Sequence, residues 1–313
     1  MYVLLLFISL VFQSQASVLI RFAEAPSLVI CFWRLLMATG LLAPWAYFAP
    51  ANRSALRALN RHDWLQLGLC GFFLFLHFYF FFRAVQETSI ANAMVLYSVN
   101  PVFTAMGAYI FFQERVTLQL AIACLFGIAG VFVLFNGSMS AAPSALHSDI
   151  WGDVWSVLSA VFFSGYILTG KHVRRKLANS AFASAAYLQT AVYAALTMWI
   201  VGTPFTGHPA TAWWTFFALA VVPTLGGHAI FTYCLNHLSV NFMSCAKLIE
   251  PALAAGAAIW LFNEPLTTHG VVGFILTSAS VLVLYWGPIR QALIQRRKST
   301  TYATTQVRQA EER

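Results

Sequence analysis

The chain has 313 residues, of which 60% are hydrophobic, 16% aromatic and only 9% charged, and its mean hydropathy is +0.72. Soluble domains carry about 25% charged residues, so the composition excludes a soluble globular protein and indicates a polytopic helical membrane protein. The formal net charge of +8 sorts into loops and a tail, which excludes a nucleic-acid-binding face.

Ten apolar spans follow one another, at about 2–20, 28–48, 64–84, 89–112, 117–136, 150–170, 181–202, 212–235, 239–262 and 268–287. The first resembles a cleaved leader, because Ser14-Gln15-Ala16-Ser17 lies within an apolar run, but it lacks a basic start and is read as a helix. Residues 137–149 form a linker rich in Ser, Ala and Pro. Asn136-Gly137-Ser138 fits the glycosylation pattern, but it sits against the membrane and is read as accidental. Residues 288–313 form a polar, basic tail suited to anionic headgroups. With an N-terminus in the cytoplasm, fourteen of the 18 lysines and arginines fall on the inside, only Arg21 and Arg83 fall outside, and Arg34 and Lys247 lie within spans. The positive-inside rule therefore predicts that both termini are cytoplasmic. Cys31, Cys70, Cys124, Cys234 and Cys245 all fall in apolar segments and read as packing residues, with no disulfide frame and no metal site.

The ninth span is the unusual one. Ser239–Thr267 reads as one helix with Lys247, Glu250 and Pro251 near its middle. At 1.5 Å per residue the two charges lie about 12 and 17 Å from Ser239, near mid-depth in a core of about 30 Å. Pro251 has no N–H, so the Lys247 carbonyl four residues back is expected to be a bare acceptor beside them. Sliding the chain by 150 residues, without a gap, lays Ser89 on Ser239, Pro101 on Pro251, Phe112 on Phe262, Glu114 on Glu264 and Thr117 on Thr267. Apolar matches alone would be weak, but a proline and a terminal glutamate in one register are not. Five spans per copy is an odd number, so the second copy starts on the opposite side of the membrane. The expected fold is an all-α polytopic membrane protein of ten transmembrane helices in two inverted five-helix repeats, 1–136 and 150–287, an architecture associated with secondary transport.

Asn100–Thr117 (NPVFTAMGAYIFFQERVT), Glu250–Thr267 (EPALAAGAAIWLFNEPLT), Phe32–Ala38 (FWRLLMA) and Gly152–Leu168 (GDVWSVLSAVFFSGYIL) resemble the drug/metabolite transporter superfamily, in its EamA-like ten-helix branch. The resemblance covers nearly the whole chain to about residue 286. It implies ten helices, cytoplasmic termini and a central cavity between the halves, in exporters of amino acids or other metabolites that are often proton-linked. The implied setting is a bacterial inner membrane.

The candidate substrate site is Lys247, Glu250, Tyr97, Asn100, Arg34, His77 and His228. Lys247 and Glu250 share a helical face. They form either an internal ion pair that merely makes two charges tolerable, or a site in which the ammonium takes a carboxylate and the glutamate an amine or a proton. Tyr97 and Asn100 are their neutral counterparts in the first half. His77 and His228 either relay protons or are simply hydrogen-bonded to a neighbouring helix. Arg34 either snorkels to the interface or attracts anions at the cavity mouth. Glu114 and Glu264 are expected to cap the helix that follows each of them. Tyr79, Tyr166, Tyr187 and Tyr233 are weaker candidates for an aromatic lining. Trp64, Trp151, Trp214 and Trp286 are expected as interface anchors.

The function expected is secondary active export of amino acids or related small metabolites by alternating access, with protons as the candidate coupling ion. Expected partners are a small-molecule metabolite, protons and membrane lipids, with no nucleic acid; no cofactor, metal or catalytic residue is expected, and the assembly is a monomer or homodimer. The alternative is a polytopic membrane enzyme such as a lipid-headgroup transferase, which needs clustered acids or a nucleophile beside a base. There is no HExxH pattern, and Asp63, Asp149 and Asp153 are scattered at span edges.

Overall fold

Hydrocarbon offers no water to an unpaired backbone group, so a chain this apolar has to satisfy its N–H and C=O groups within helices. The computed structural model describes residues 1–113, 118–140, 150–234, 237, 246–247, 249–264 and 266–283. Their helices are α1 (Tyr2–Phe22), α2 (Ser27–Ala43, continued by a π-type turn over Pro44–Phe48), α3 (Pro50–Arg57), α4 (Arg61–Glu87), α5 (Ile90–Tyr97), α6 (Asn100–Phe112), α7 (Leu118–Ser140), α8 (Ile150–Val173), α9 (Asn179–Val201), α10 (Ala210–Leu219, continued by a π-type segment over Ala220–Ala229), α11 (Ile230–Cys234), α12 (Ile249–Phe262) and α13 (Thr268–Val283). Seven helical stretches are long and apolar enough to cross a membrane, and Ala121–Leu134, α12 and α13 are shorter apolar ones, so helix occurs at each of the ten expected places. Glu114, Ser239–Cys245, the linker from 141 to 149, Trp286 and the basic tail lie outside the described residues.

The ninth span is not one continuous helix. Lys247 sits in a turn and α12 starts at Ile249. The first half breaks at the same register, with α5 ending at Tyr97 and α6 starting at Asn100. Each break lies just before a proline that sits in the first turn of the new helix, where its missing N–H has no intrahelical partner to lose. The expected bare carbonyl is also filled: Lys247 O accepts the Glu250 N–H at 3.0 Å. In the first half the Asn100 side-chain amide donates to Tyr97 O at 3.0 Å. The far ends of the two segments correspond as well. Gln113 and Asn263, 150 positions apart, both terminate their helices with positive φ, 54° and 52°, the left-handed cap that stops a helix.

Packing repeats when the halves are exchanged. α4 packs on α8 as α10 and its π-type continuation pack on α1, while α2 and α9 pack on each other. Two glycines allow the closest approaches to the backbone of another helix. A Cβ at Gly152 would lie 2.6 Å from the Thr88 nitrogen, and one at Gly227 would lie 3.0 Å from the Gln13 nitrogen.

Polar side chains tie the helix ends together in two groups. One group holds Arg21, whose guanidinium donates to Val85 O and Thr88 O at 2.9 and 2.8 Å and lies 2.9 Å from Glu264 Oε1. It also holds the Arg83–Glu87 ion pair, Trp155 Nε1 donating to Glu87 Oε2 at 2.7 Å, and Thr88 Oγ1 donating to Asp153 at 2.8 Å. The other group holds the Asn60–Asp63 capping box of α4, with Lys176 Nζ 2.7 Å from Asp63 and Asn52 donating to Ser180 at 3.3 Å. Helix α4, 27 residues or about 40 Å long, runs from one group to the other. Glu264 does not cap the following helix α13. Its Oε2 accepts the Ile90 N–H at 2.8 Å, at the start of α5 in the other half.

Glu264 therefore holds a buried cation and a buried N–H at once. Replacing it with Ala leaves both unpaired and is expected to cost about 2–4 kcal/mol. Thermal melting of the detergent-purified protein should show a large drop for Glu264→Ala, and a smaller one for Arg21→Met with Glu264→Met together.

Candidate functional site

The geometry of the site begins with Pro223. Its ring cannot donate to the Leu219 carbonyl four residues back, and the backbone opens into the π-type segment Ala220–Ala229 around it. Thr224 supplies the missing donor, its hydroxyl bonding to Leu219 O at 2.8 Å. The Thr224 hydroxyl oxygen in turn accepts from Arg34 Nε at 2.9 Å. Arg34 is thereby held inside the bundle, 5% exposed, with its guanidinium over the rings of Phe78 and Phe82 at 4.8 and 5.5 Å. It does not snorkel to the interface.

Arg34 borders a cavity of about 80 Å³ lined by α1, α2, α4, α5, α8, α9, the π-type segment, the turn at Lys247 and the start of α12. Lys247, Glu250, Tyr97, His77 and His228 line it too. Residues from distant parts of the sequence thus converge on one small chamber. Asn100 is not among the lining residues. Its carbonyl accepts the hydroxyls of Thr104 and Ser164, each at 3.0 Å, while its amide closes the turn before α6. Of the four tyrosines considered for the lining, Tyr187 lines the cavity. Tyr166 is buried, with its hydroxyl 3.4 Å from Arg174, and Tyr233 is exposed.

The Lys247 ammonium lies 5.4 to 5.9 Å from the ring centroids of Phe231, Phe163 and Tyr97, a three-sided aromatic cage that favours a cation electrostatically. Glu250 Oε2 is 3.8 Å from that ammonium, beyond hydrogen-bond reach. Glu250 is 6% exposed, and its Oε1 has no hydrogen-bond partner among the described residues. In the same lining, the buried Gln13 Nε2 of α1 likewise has none among the described residues. One unpaired acceptor and one unpaired donor therefore line the same chamber, in a setting where each is costly.

His77 Nδ1 lies 2.8 Å from Ser159 Oγ and 3.2 Å from Ser159 O on α8. The neighbouring-helix hydrogen bond and a place in the cavity wall thus hold for the same residue. Its ring stacks on Tyr97, 5.3 Å between centroids. His228 faces Tyr187 at 6.4 Å.

Gln13, Ala16, Phe163 and Thr224 line the cavity without having been singled out from the sequence. Gln13 had a usable signal, since it lies about 17 Å into its span, the same depth criterion that marks Lys247. Phe163 and Ala16 had none, because one apolar residue in an apolar helix does not reveal its face.

The EamA-like transporter family model matches residues 1–136 and 150–286. The chain is 27% identical over 256 residues, 79% of its length and 77% of the relative's, to the uncharacterized transporter YxxF of Bacillus subtilis (strain 168). It is 26% identical to an uncharacterized transporter of Archaeoglobus fulgidus, covering 89% of this chain and 94% of the other. A probable terminal-alkyne amino-acid exporter of Streptantibioticus cattleyicolor is 25% identical, covering 67% of each. A solved crystal structure superimposes with a TM-score of 0.62 at 19% identity, covering 90% of this chain and 96% of that one, which is a likeness of fold. With both long helical segments matched, the chain belongs to the EamA-like transporter family and is an integral, polytopic helical membrane protein.

Proposed function

We propose that this chain is a secondary transporter that exports an amino acid or a related small metabolite by alternating access, with protons as the coupling ion. We read it as two inverted repeats, 1–136 and 150–287, in a bacterial inner membrane with both termini in the cytoplasm. The observation that carries the reading is Glu250 Oε1 and Gln13 Nε2, each without a hydrogen-bond partner among the described residues, on two residues that line one cavity. A cargo with both a donor and an acceptor satisfies the two, and the loose Lys247–Glu250 pair exchanges its mutual attraction for contacts to that cargo.

Charge adds a carboxylate to the requirement. Arg34 and Lys247 border the cavity against one acid, Glu250, and an excess buried cation is unfavourable without an anion beside it. The caged Lys247 ammonium and the Thr224-held Arg34 are thus candidate carboxylate ligands, and Glu250 is the candidate for the amine or the proton. His77 and His228 flank these groups and suit a proton route. A cavity of about 80 Å³ has room for about two or three waters, well below the 300–1,000 Å³ of ligand pockets. Cargo entry therefore requires the walls to part. The helix breaks at Tyr97–Asn100 and Lys247–Ile249 are the natural places for that movement, since discontinuous spans flank the sites of many carriers.

Orientation rests on charge. The end that holds Arg53, Arg57, Arg61, Lys171, Arg174, Arg175 and Lys176 is strongly basic and faces the cytoplasm under the positive-inside rule. Family membership and the mid-depth polar cavity favour a carrier over a lipid-headgroup transferase, which would act at the membrane surface.

The deciding experiment is a thermal-shift screen of amino acids, amines, carboxylates and nucleosides on purified protein, followed by counterflow in liposomes. Stabilisation by amino acids but not by amines without a carboxylate is the expected outcome; no stabilisation and no counterflow with any class would overturn the carrier. Glu250→Gln should keep the melting temperature within a few degrees while abolishing pH-dependent counterflow, and normal counterflow by that variant would remove Glu250 from the mechanism. Thr224→Val leaves Leu219 O without a donor and Arg34 Nε without an acceptor, an expected loss of about 1–3 kcal/mol. Thr224→Ser should retain both bonds, so weakened carboxylate binding confined to the valine variant is the signature to measure.

A further inference from the structure

At the basic end of the bundle, residues 49–60 join the span that ends at Phe48 to the one that starts at Arg61. Helix α3 lies in this connection and has no buried residue. It is pinned all the same. Asn52 donates to Trp45 O at 2.8 Å and to Ser180 Oγ at 3.3 Å, while Ala55 and Leu56 rest against the core. Those contacts fix how the helix is turned, and Arg53 and Arg57, one turn apart, stand on its exposed side. Neither side chain has a hydrogen bond, an ion pair or a ring contact among the described residues. Trp45, Phe48 and Trp64 beside them are 66%, 76% and 45% exposed. Two clefts of about 490 and 460 Å³ share Phe48, Arg53 and Arg57 in their linings, and Trp64 lines the second.

We infer that this face of α3 is a binding site for an anionic phospholipid, with the headgroup phosphate between the Arg53 and Arg57 guanidinium groups and the start of an acyl chain against Phe48 and Trp64. Charge selects the anion. Two cations at this spacing repel one another, and Asp63, an acid at the same end, does not offset them, because Lys176 takes its Oδ1 at 2.7 Å and the Asn60 N–H its Oδ2 at 3.0 Å. A phosphate between two guanidinium groups turns that repulsion into charge-assisted hydrogen bonds. Position selects a lipid phosphate over a soluble one. Both flanking spans are long and apolar enough to cross a membrane, and each carries an exposed tryptophan next to the connection, Trp45 on one and Trp64 on the other, which is the depth where such rings meet the headgroups. A short helix pinned there, with arginines outward and aromatic rings at its side, has the arrangement of an interfacial helix on an anionic surface.

The test uses the full-length protein in detergent and native mass spectrometry with added phosphatidylglycerol or phosphatidylcholine, which share acyl chains and differ in net charge. Phosphatidylglycerol should be retained preferentially, and Arg53→Gln with Arg57→Gln should reduce that preference by about tenfold with an unchanged melting temperature in the absence of lipid. Arg296→Gln with Arg297→Gln removes the same charge from the basic tail and should leave the preference in place. An equal loss in the tail variant, or a preference that survives the loss of Arg53 and Arg57, would assign the effect to bulk charge and overturn the site. Phe48→Ser should weaken both lipids alike, and soluble glycerol phosphate should not compete, since it lacks the chain. Full competition by glycerol phosphate, or unchanged retention of both lipids by the Phe48 variant, would reduce the site to a phosphate patch and overturn the lipid; equal retention of the two lipids by the unsubstituted protein would overturn it as well.

Discussion

A proline within a membrane span takes away one backbone donor where no water can replace it, and the interior of this protein is arranged around how that deficit is met. At Pro251 the chain turns tightly, and the Glu250 N–H bonds to Lys247 O. At Pro101 the side chain of Asn100 caps Tyr97 O. At Pro223 the helix widens and Thr224 bonds to Leu219 O. Two of the three repairs, at Pro223 and Pro251, place polar groups on the cavity wall. Thr224 holds Arg34, and the turn before Pro251 carries Lys247 and Glu250 to the wall. The site is thus a by-product of backbone satisfaction as much as of side-chain choice.

Much of this was legible in the sequence, for a reason that also marks the limit. In an apolar chain a charge is conspicuous, so Arg34, Lys247 and Glu250 announce themselves, and helix lies wherever the apolar runs predict it. What an apolar chain hides is direction. Phe163 and Ala16 line the cavity while Leu65 and Phe111 face outward, and nothing in their residue types separates them. The break before α12 is half visible: Pro251 marks the place but predicts one continuous helix with a bare acceptor, whereas the chain turns at Lys247 and restarts as a helix with the proline in its first turn. The repeat register pairs Asn100 with Glu250, yet the Asn100 amide is spent on the backbone of its own turn. Repeat register predicts where an element lies and leaves its chemistry open.

Glu264 shows the same limit at longer range. A glutamate at a helix end is ordinarily read as a local cap, and sequence distance gives no hint that its acceptor serves Ile90, 174 positions away, while also facing Arg21. Packing brings the corner after α12 against the corner after α4, and the same corner receives Trp155, Glu87 and Asp153. The cohesion of that end is therefore built between the halves.

This division of labour bears on how such a molecule can move. Buried polar locks made between halves are strong while intact and costly to leave half-made, so they favour two discrete arrangements over a continuum. The cavity wall behaves differently: the Lys247–Glu250 contact is long, an acceptor and a donor have no partner among the described residues, and the ammonium rests on ring faces. Tight contacts at the ends and loose ones at the centre place the lowest resistance to rearrangement at the two helix breaks, where a few backbone angles before Pro101 and Pro251 can change without disturbing the helices on either side. A cargo that pairs Glu250 and Gln13 would then stabilise the arrangement in which it is bound, and the difference in those contacts between the two arrangements is the free energy available to drive the exchange.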